Sequence, residues 1–291
     1  MIYQVRHKTT YDYEDPVSVS HHILRLTPHN TRNQTCRRSD ISVIPRPPSY
    51  SWHTDYFGNR NTAFTLLEPH DRLIVDASME LEVNALPLPR FSASPPWEQV
   101  RDSLAADYTD EGLNAYQYVF DSNRVTARPE LADYARESFA DERPLLEAAM
   151  DLTHRIFHDF RFDTKATEVS TPVETFFEKR RGVCQDFSHL QIACMRSLGL
   201  PARYISGYLR TLPPPGRPRL VGADASHAWC AVWSPGAGWV DFDPTNNCVP
   251  SDGHLTLAWG RDYSDVSPIH GVLLGGAEHT LNTGVDVMQI E

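Results

Sequence analysis

No stretch of this chain is long and apolar enough to cross a bilayer. The opening residues, Met1 to Lys8, also lack the apolar core of a secretory signal. Basic residues are outnumbered, 27 Lys and Arg against 38 Asp and Glu, for a net charge of −11. That balance argues against nucleic-acid or anionic-membrane binding that ignores sequence, since both need a basic surface to displace counterions. It is compatible with a local basic patch. Cysteine is scarce and odd in number, at Cys36, Cys184, Cys194, Cys230 and Cys248. These thiols make a poor disulfide framework, fit a reducing compartment, and leave at least one free for chemistry. The cytoplasm is the expected location.

Missing motifs narrow the chemistry. A Gly-x-Ser-x-Gly elbow is absent, which argues against the common serine hydrolases. Gly236-Ala237-Gly238 lacks the third glycine and following helix of a dinucleotide site and reads as a turn. His154 and His158 are spaced i, i+4, but no glutamate lies between them and no third ligand is evident, so they read as solvated helix histidines. No EF-hand-like acidic loop implies calcium. Neither cofactor nor metal is expected.

At 291 residues with 41% hydrophobic content, the chain suits two domains or one large one. The early part reads as β structure. Leu73, Val75, Ala77, Met79, Leu81 and Val83 alternate with mainly polar positions across 72–84, and Gly58-Asn59 suits a hairpin turn. Tyr3, Val5, Tyr11 and Tyr13 suggest a further strand pair, and the whole favours an antiparallel sandwich. Two proline-rich stretches, Leu86-Pro87-Leu88-Pro89 and Ser94-Pro95-Pro96, mark a boundary between a β domain at 1–93 and a second domain at 94–291.

Helical spacing follows at Leu145, Ala149, Leu152 and Ile156. Thr171-Pro172-Val173-Glu174 has the form of a capping box, predicting a helix to about Arg180 that Gly182 can break. A second helix should carry Phe187, Leu190, Cys194 and Leu198 on one face and stop at Gly199-Leu200-Pro201. Strands are expected at 203–209, 227–233 and 239–242, with an extended tail at 281–290.

Cys184 lies between the glycine break and the start of that second helix. A thiol there meets the positive end of the helix and unpaired N–H groups, both of which favour its anionic form. His227 begins one strand, and Asp241 and Asp243 end the next. If Trp233 faces Trp239 across the turn, His227 falls opposite Thr245, with Asp243 one diagonal step away on the same face. That register requires an odd-length loop or a bulge, and it prefers Asp243 over Asp241 as the partner of His227.

Four segments carry a resemblance: Gly182-Val183-Cys184-Gln185-Asp186-Phe187-Ser188-His189, Leu200-Pro201-Ala202-Arg203-Tyr204-Ile205-Ser206-Gly207-Tyr208, His227-Ala228-Trp229 and Asp243-Pro244-Thr245-Asn246. They resemble the core motifs of bacterial transglutaminase-like proteins. Asp55-Tyr56-Phe57-Gly58-Asn59 is similar to part of the N-terminal domain that accompanies this core, and Trp259 to Val266 to the segment that follows it. The resemblance implies an α+β fold, a papain-like cysteine-proteinase (transglutaminase) core preceded by an antiparallel β-sandwich. It also implies Cys184 as nucleophile, His227 as base and Asp243 as orienter. Phe162 stands where relatives usually carry tyrosine, so an oxyanion would rely on the Cys184 backbone N–H and another donor, with Gln185 the candidate by position.

The implied chemistry is acyl transfer or hydrolysis at an amide bond through a thioester, on a peptide or protein substrate. The alternative is a non-catalytic interaction protein keeping this fold. The proline-rich 212–219 segment is expected to wall or cover the cleft. Nothing in the sequence sets an oligomeric state.

Overall fold

The computed structural model describes residues 1–211 and 226–291, so the proline-rich 212–219 segment lies outside the described residues. Five strands open the chain: β1 (Ile2–Leu24), β2 (Gln34–Ile44), β3 (Tyr50–Thr54), β4 (Arg60–Leu66) and β5 (His70–Val83). They lie in the order β2-β5-β1-β4-β3 in one antiparallel sheet. The alternating apolar residues of β5 are all buried, as period-two patterning requires. The strand pair expected from Tyr3 to Tyr13 is one long strand. No turn residues interrupt it, and its ladder with β5 runs unbroken from Ile2 to Asp12. Past an irregularity between Asp12 and Val17 it continues, paired with β4. The N-terminal β unit is thus an antiparallel sheet that curls on itself.

The middle of the chain is helical: α1 (Trp97–Leu104), α2 (Asp110–Tyr116), α3 (Pro129–Arg136) and α4 (Leu145–Asp159). Short strand β6 (Arg161–Phe162), helix α5 (Val173–Lys179) and strand β7 (Arg181–Gly182) lead into α6 (Cys184–Ser197). The capping box at α5 does not form. Pro172 occupies the cap position, and the Thr171 hydroxyl accepts instead from the Glu168 N–H at 2.9 Å. A second antiparallel sheet has the order β10-β9-β8-β11, from β8 (Ala202–Leu209), β9 (Ser226–Ser234), β10 (Gly238–Phe242) and β11 (His254–Gly260).

Helix α6 was expected to bury one face. Every residue from Gln185 to Arg196 is buried, because the sheet covers one side and α3, α4 and α5 approach the others. Its buried donors find partners: Gln191 donates to the Thr153 hydroxyl at 2.8 Å, and Arg196 to the carbonyls of Ala202 and Arg261 at 2.8 and 2.7 Å.

A single turn, α7 (Tyr263–Val266), precedes β12 (Ile269–Gly275) and β13 (His279–Gln289). The tail is extended as expected, but both strands pair antiparallel with β1. The end of the 94–291 region thus completes the first sheet. Tyr208, Leu255 and Leu257 join the core of that sheet from the second, so the two are packed together.

Two side-chain amides bind the edge strand β11 to the first sheet. Gln34 donates to the Thr256 carbonyl at 2.7 Å and accepts its N–H at 2.9 Å. Asn59 does the same for Trp259, at 2.8 and 3.0 Å, while Asp55 holds the Asn59 turn. Asn59 is buried, so Asn59→Ala leaves both Trp259 backbone groups without these partners. Each unsatisfied group costs about 1–3 kcal/mol, and chemical denaturation should show a loss of about 2–4 kcal/mol. An unchanged midpoint would contradict this role.

Candidate active site

Cys184 is the first residue of α6 and is half-buried with a free thiol. The entry is shaped by Asp186, whose Oδ2 accepts the Val183 N–H at 2.8 Å and the Thr167 hydroxyl at 2.6 Å. Gly182 makes room for it: a Cβ there would lie 2.4 Å from that oxygen and 2.8 Å from the Phe176 ring. Sequence reasoning assigned Gly182 the role of helix breaker. The break lies earlier, at Arg180, whose φ of 57° ends α5 in the left-handed region.

The backbone N–H groups of Cys184 and Gln185 have no hydrogen-bond partner among the described residues. The Gln185 side chain donates to the Val169 carbonyl at 3.0 Å. Phe162, opposite Gly182 in the parallel β6–β7 pair, is half exposed and offers no donor.

The β9–β10 hairpin has the register that the sequence required. Trp233 faces Trp239, Ser234 faces Gly238, and the loop is the odd-length Pro235-Gly236-Ala237. The ladder ends at Phe242, and Asp243 turns to pair with Cys248. His227 Nε2 meets Asp243 Oδ2 at 2.7 Å. A carboxylate only accepts, so Nε2 carries the proton and Nδ1 is left for the Cys184 thiol, to which the ring is also hydrogen-bonded. Asp241 is engaged elsewhere, accepting from Trp229 Nε1 at 2.9 Å.

Asp243 is fully buried and saturated with donors. Its Oδ1 accepts the N–H groups of Thr245 and Asn246 at 2.9 and 3.1 Å. Its Oδ2 accepts from His227, from His254 Nε2 at 3.0 Å and from Asn246 Nδ2 at 2.7 Å. Sequence reasoning missed both further donors. Asn246 had a signal, lying in the quoted Asp243-to-Asn246 motif, whereas His254 is isolated in sequence and arrives by the β11 pairing.

Burial opposes charge on both members of the pair, and the hydrogen bonds prevail. Burial pulls the His227 imidazole down, but its bonds to Asp243 and Cys184, with their charges, raise it to about 10. Burial pushes the Asp243 carboxyl up, yet its bonds from His227, His254 and Asn246 hold it well below the usual carboxylate range. The ligand-capable atoms of His227, Asp243 and His254 lie within 4.8 Å of one another. Protons account for the cluster, since both Nε2 atoms stand at hydrogen-bond distance from Oδ2. His154 and His158 are edge-to-face neighbours on α4, with His154 Nδ1 3.0 Å from the Asn247 amide.

Trp229 backs the cluster, its ring centroid 6.0 Å from that of His227 and 5.3 Å from that of His254. It lies over Gly207, where an added Cβ would fall 2.5 Å from the indole and 2.2 Å from the Leu255 carbonyl. Gly207→Ala should therefore displace Trp229 or β11, at a cost of about 1–3 kcal/mol. Thermal melting checks this, and an unshifted transition would contradict it.

The family described as the bacterial transglutaminase-like N-terminal region matches residues 3–82, and the transglutaminase-like superfamily matches residues 132–244. A protein of Mycobacterium tuberculosis is 36% identical over 297 residues, covering 99% of this chain and 93% of its own length. One from Mycobacterium leprae is 32% identical over 290 residues, covering 99% and 98%. A protein-glutamine gamma-glutamyltransferase of Pseudomonas aeruginosa is 33% identical over 124 residues, 41% of this chain and 18% of that protein. The crystal structure of a candidate cysteine protease from Cytophaga hutchinsonii superposes with a TM-score of 0.78 at 20% identity, over 100% of this chain and 91% of that one. Among the described residues no helix is long and apolar enough to cross a membrane.

Proposed function

This chain belongs to the transglutaminase-like superfamily, and from that premise we propose that it transfers or hydrolyses acyl groups through a thioester on Cys184. The fold is a cysteine-type catalytic fold. The observation that carries the reading is the His227 ring, hydrogen-bonded to the thiol on one side and to a buried carboxylate on the other.

His227, kept protonated at neutral pH by its partners, already holds the Cys184 proton on Nδ1, and the sulfur attacks an amide carbonyl carbon. The unpartnered N–H groups of Cys184 and Gln185 receive the developing oxyanion. The imidazolium then gives its proton to the departing amine as the C–N bond breaks. Asp243 holds the ring in the tautomer this requires and supports its charge. Water attacking the thioester completes hydrolysis; an amine completes transamidation. The name of the Pseudomonas relative makes a glutamine side-chain amide in a peptide the first acyl donor to try.

The test is acylation with p-nitrophenyl acetate, quenching, and peptide mass analysis. An acetyl group on Cys184 is expected, lost in His227→Ala. Acetylation spread over other cysteines, or absent, would sink the reading. Raising the concentration of a primary amine then separates the outcomes: if amide product does not rise with it, transamidation is removed.

A further inference from the structure

The second sheet carries an arginine in an unusual setting. The Arg203 guanidinium lies between the indoles of Trp239 and Trp259, 4.4 and 4.3 Å from their centroids. Both faces of the cation are covered, which leaves its in-plane N–H edge as the only place for a partner. Its Nε is buried without a hydrogen bond, and its guanidinium makes no hydrogen bond or ion pair within 4 Å among the described residues. The nearby acid, Asp241, interacts with it at longer range and is committed to the Trp229 indole. Burial lowers Arg203 to about 10, so it remains a cation at neutral pH.

Arg203 lines a groove of about 1390 Å³ between the two sheets and the proline-rich linker. Arg32 and Arg90 line it too, both exposed; among the described residues neither is ion-paired, and Asp241 is the single acid in the walls. On a chain of net charge −11, this is a concentration of unneutralised positive charge. The groove exceeds the roughly 300–1,000 Å³ of a small-molecule pocket, and the amides of Asn33, Asn114 and Gln117 on its walls suit an extended backbone. Trp229 separates it from the cluster around Cys184: the indole N–H serves Asp241 while the ring meets His227 and His254.

We propose that this groove is a binding site for an acidic peptide segment, distinct from the Cys184 centre, in which Arg203 receives a carboxylate on its open edge. The fork of parallel N–H groups matches the two oxygens of a carboxylate. Arg32 and Arg90 draw further acidic side chains of the same peptide.

Full-length Cys184→Ala protein, which rules out turnover, should be titrated calorimetrically with acetylated, amidated Leu-Glu-Leu-Glu and with its Leu-Gln-Leu-Gln counterpart. The glutamate peptide should bind at least about tenfold more tightly, as loss of a charge-assisted bidentate pair implies. Arg203→Met, which keeps an apolar chain between the indoles, should erase that preference. Should Arg203→Met fail to fold, the exposed pair Arg32→Gln and Arg90→Gln should still weaken the glutamate peptide several-fold. Equal binding of the two peptides, binding of neither, or a preference that survives the arginine substitutions would overturn the proposal. Since the readout is affinity in protein lacking the thiol, its failure leaves the acylation of Cys184 untouched.

Discussion

Asp243→Asn should lower kcat/KM about 10³- to 10⁴-fold, with the protein folded but measurably less stable. The carboxylate accepts five hydrogen bonds, and the amide keeps one acceptor oxygen. If the amide nitrogen replaces Oδ2, it confronts the N–H groups of His227, His254 and Asn246. His227 then shifts its proton to Nδ1 and presents a donor, not a base, to the sulfur. If the nitrogen replaces Oδ1, it meets the Thr245 and Asn246 amides instead. Breaking a buried pair of this kind costs about 3–5 kcal/mol. The pH behaviour adds a signature. The raised imidazole contributes stability that is complete below its ordinary value near 6.5 and fades as pH climbs towards about 10. The depressed carboxyl contributes stability that is complete above its ordinary value and fades as pH falls through the lowered one. Both describe one contact, so the wild type should hold it across neutral pH. In Asp243→Asn the alkaline limb of kcat/KM should move down in pH, since the charge that raised His227 is gone. A limb that stays near 10 would contradict the role of Asp243.

Cys184→Ala should abolish acyl-enzyme formation and reduce turnover by about 10⁵-fold or more, with little loss of stability. The small structural effect follows from the position: Cys184 is only half-buried at a helix start, and alanine is a good helix former. The large chemical effect follows because no other thiol can substitute. Cys194 and Cys230 are buried, and burial raises both well above the ordinary thiol range; burial likewise raises Cys36, and Cys248 to about 11. Steady-state rates, acetylation and thermal melting of the same variant check the three parts together. Turnover within about tenfold of wild type would remove the thiol from the mechanism.

Much of this arrangement was legible in the chain because it is local. The hairpin register followed from two tryptophans and a short glycine turn, and it brought His227 and Asp243 together without any long-range information. The start of α6 was legible from a glycine and an apolar period. What escaped was non-local. His254 reaches Asp243 only because β11 pairs with β8, and a lone histidine in a loop-like segment carries no sign of that. The burial of α6 on all sides depends on which helices surround it, which period counting does not register. The tail strands showed as extended, but their partner β1 lies at the other end of the chain, a pairing that local propensity leaves open. The α5 cap was misread for a chemical reason, since proline took the cap position itself.

The most direct test of the central claim is the rate at which iodoacetamide labels each cysteine, read by peptide mass analysis. Cys184 should react at least about tenfold faster than Cys36, Cys194, Cys230 and Cys248, and His227→Ala should remove most of that advantage. A Cys184 no faster than the others, with a rate indifferent to His227, would contradict the paired thiol and imidazole on which the functional reading stands.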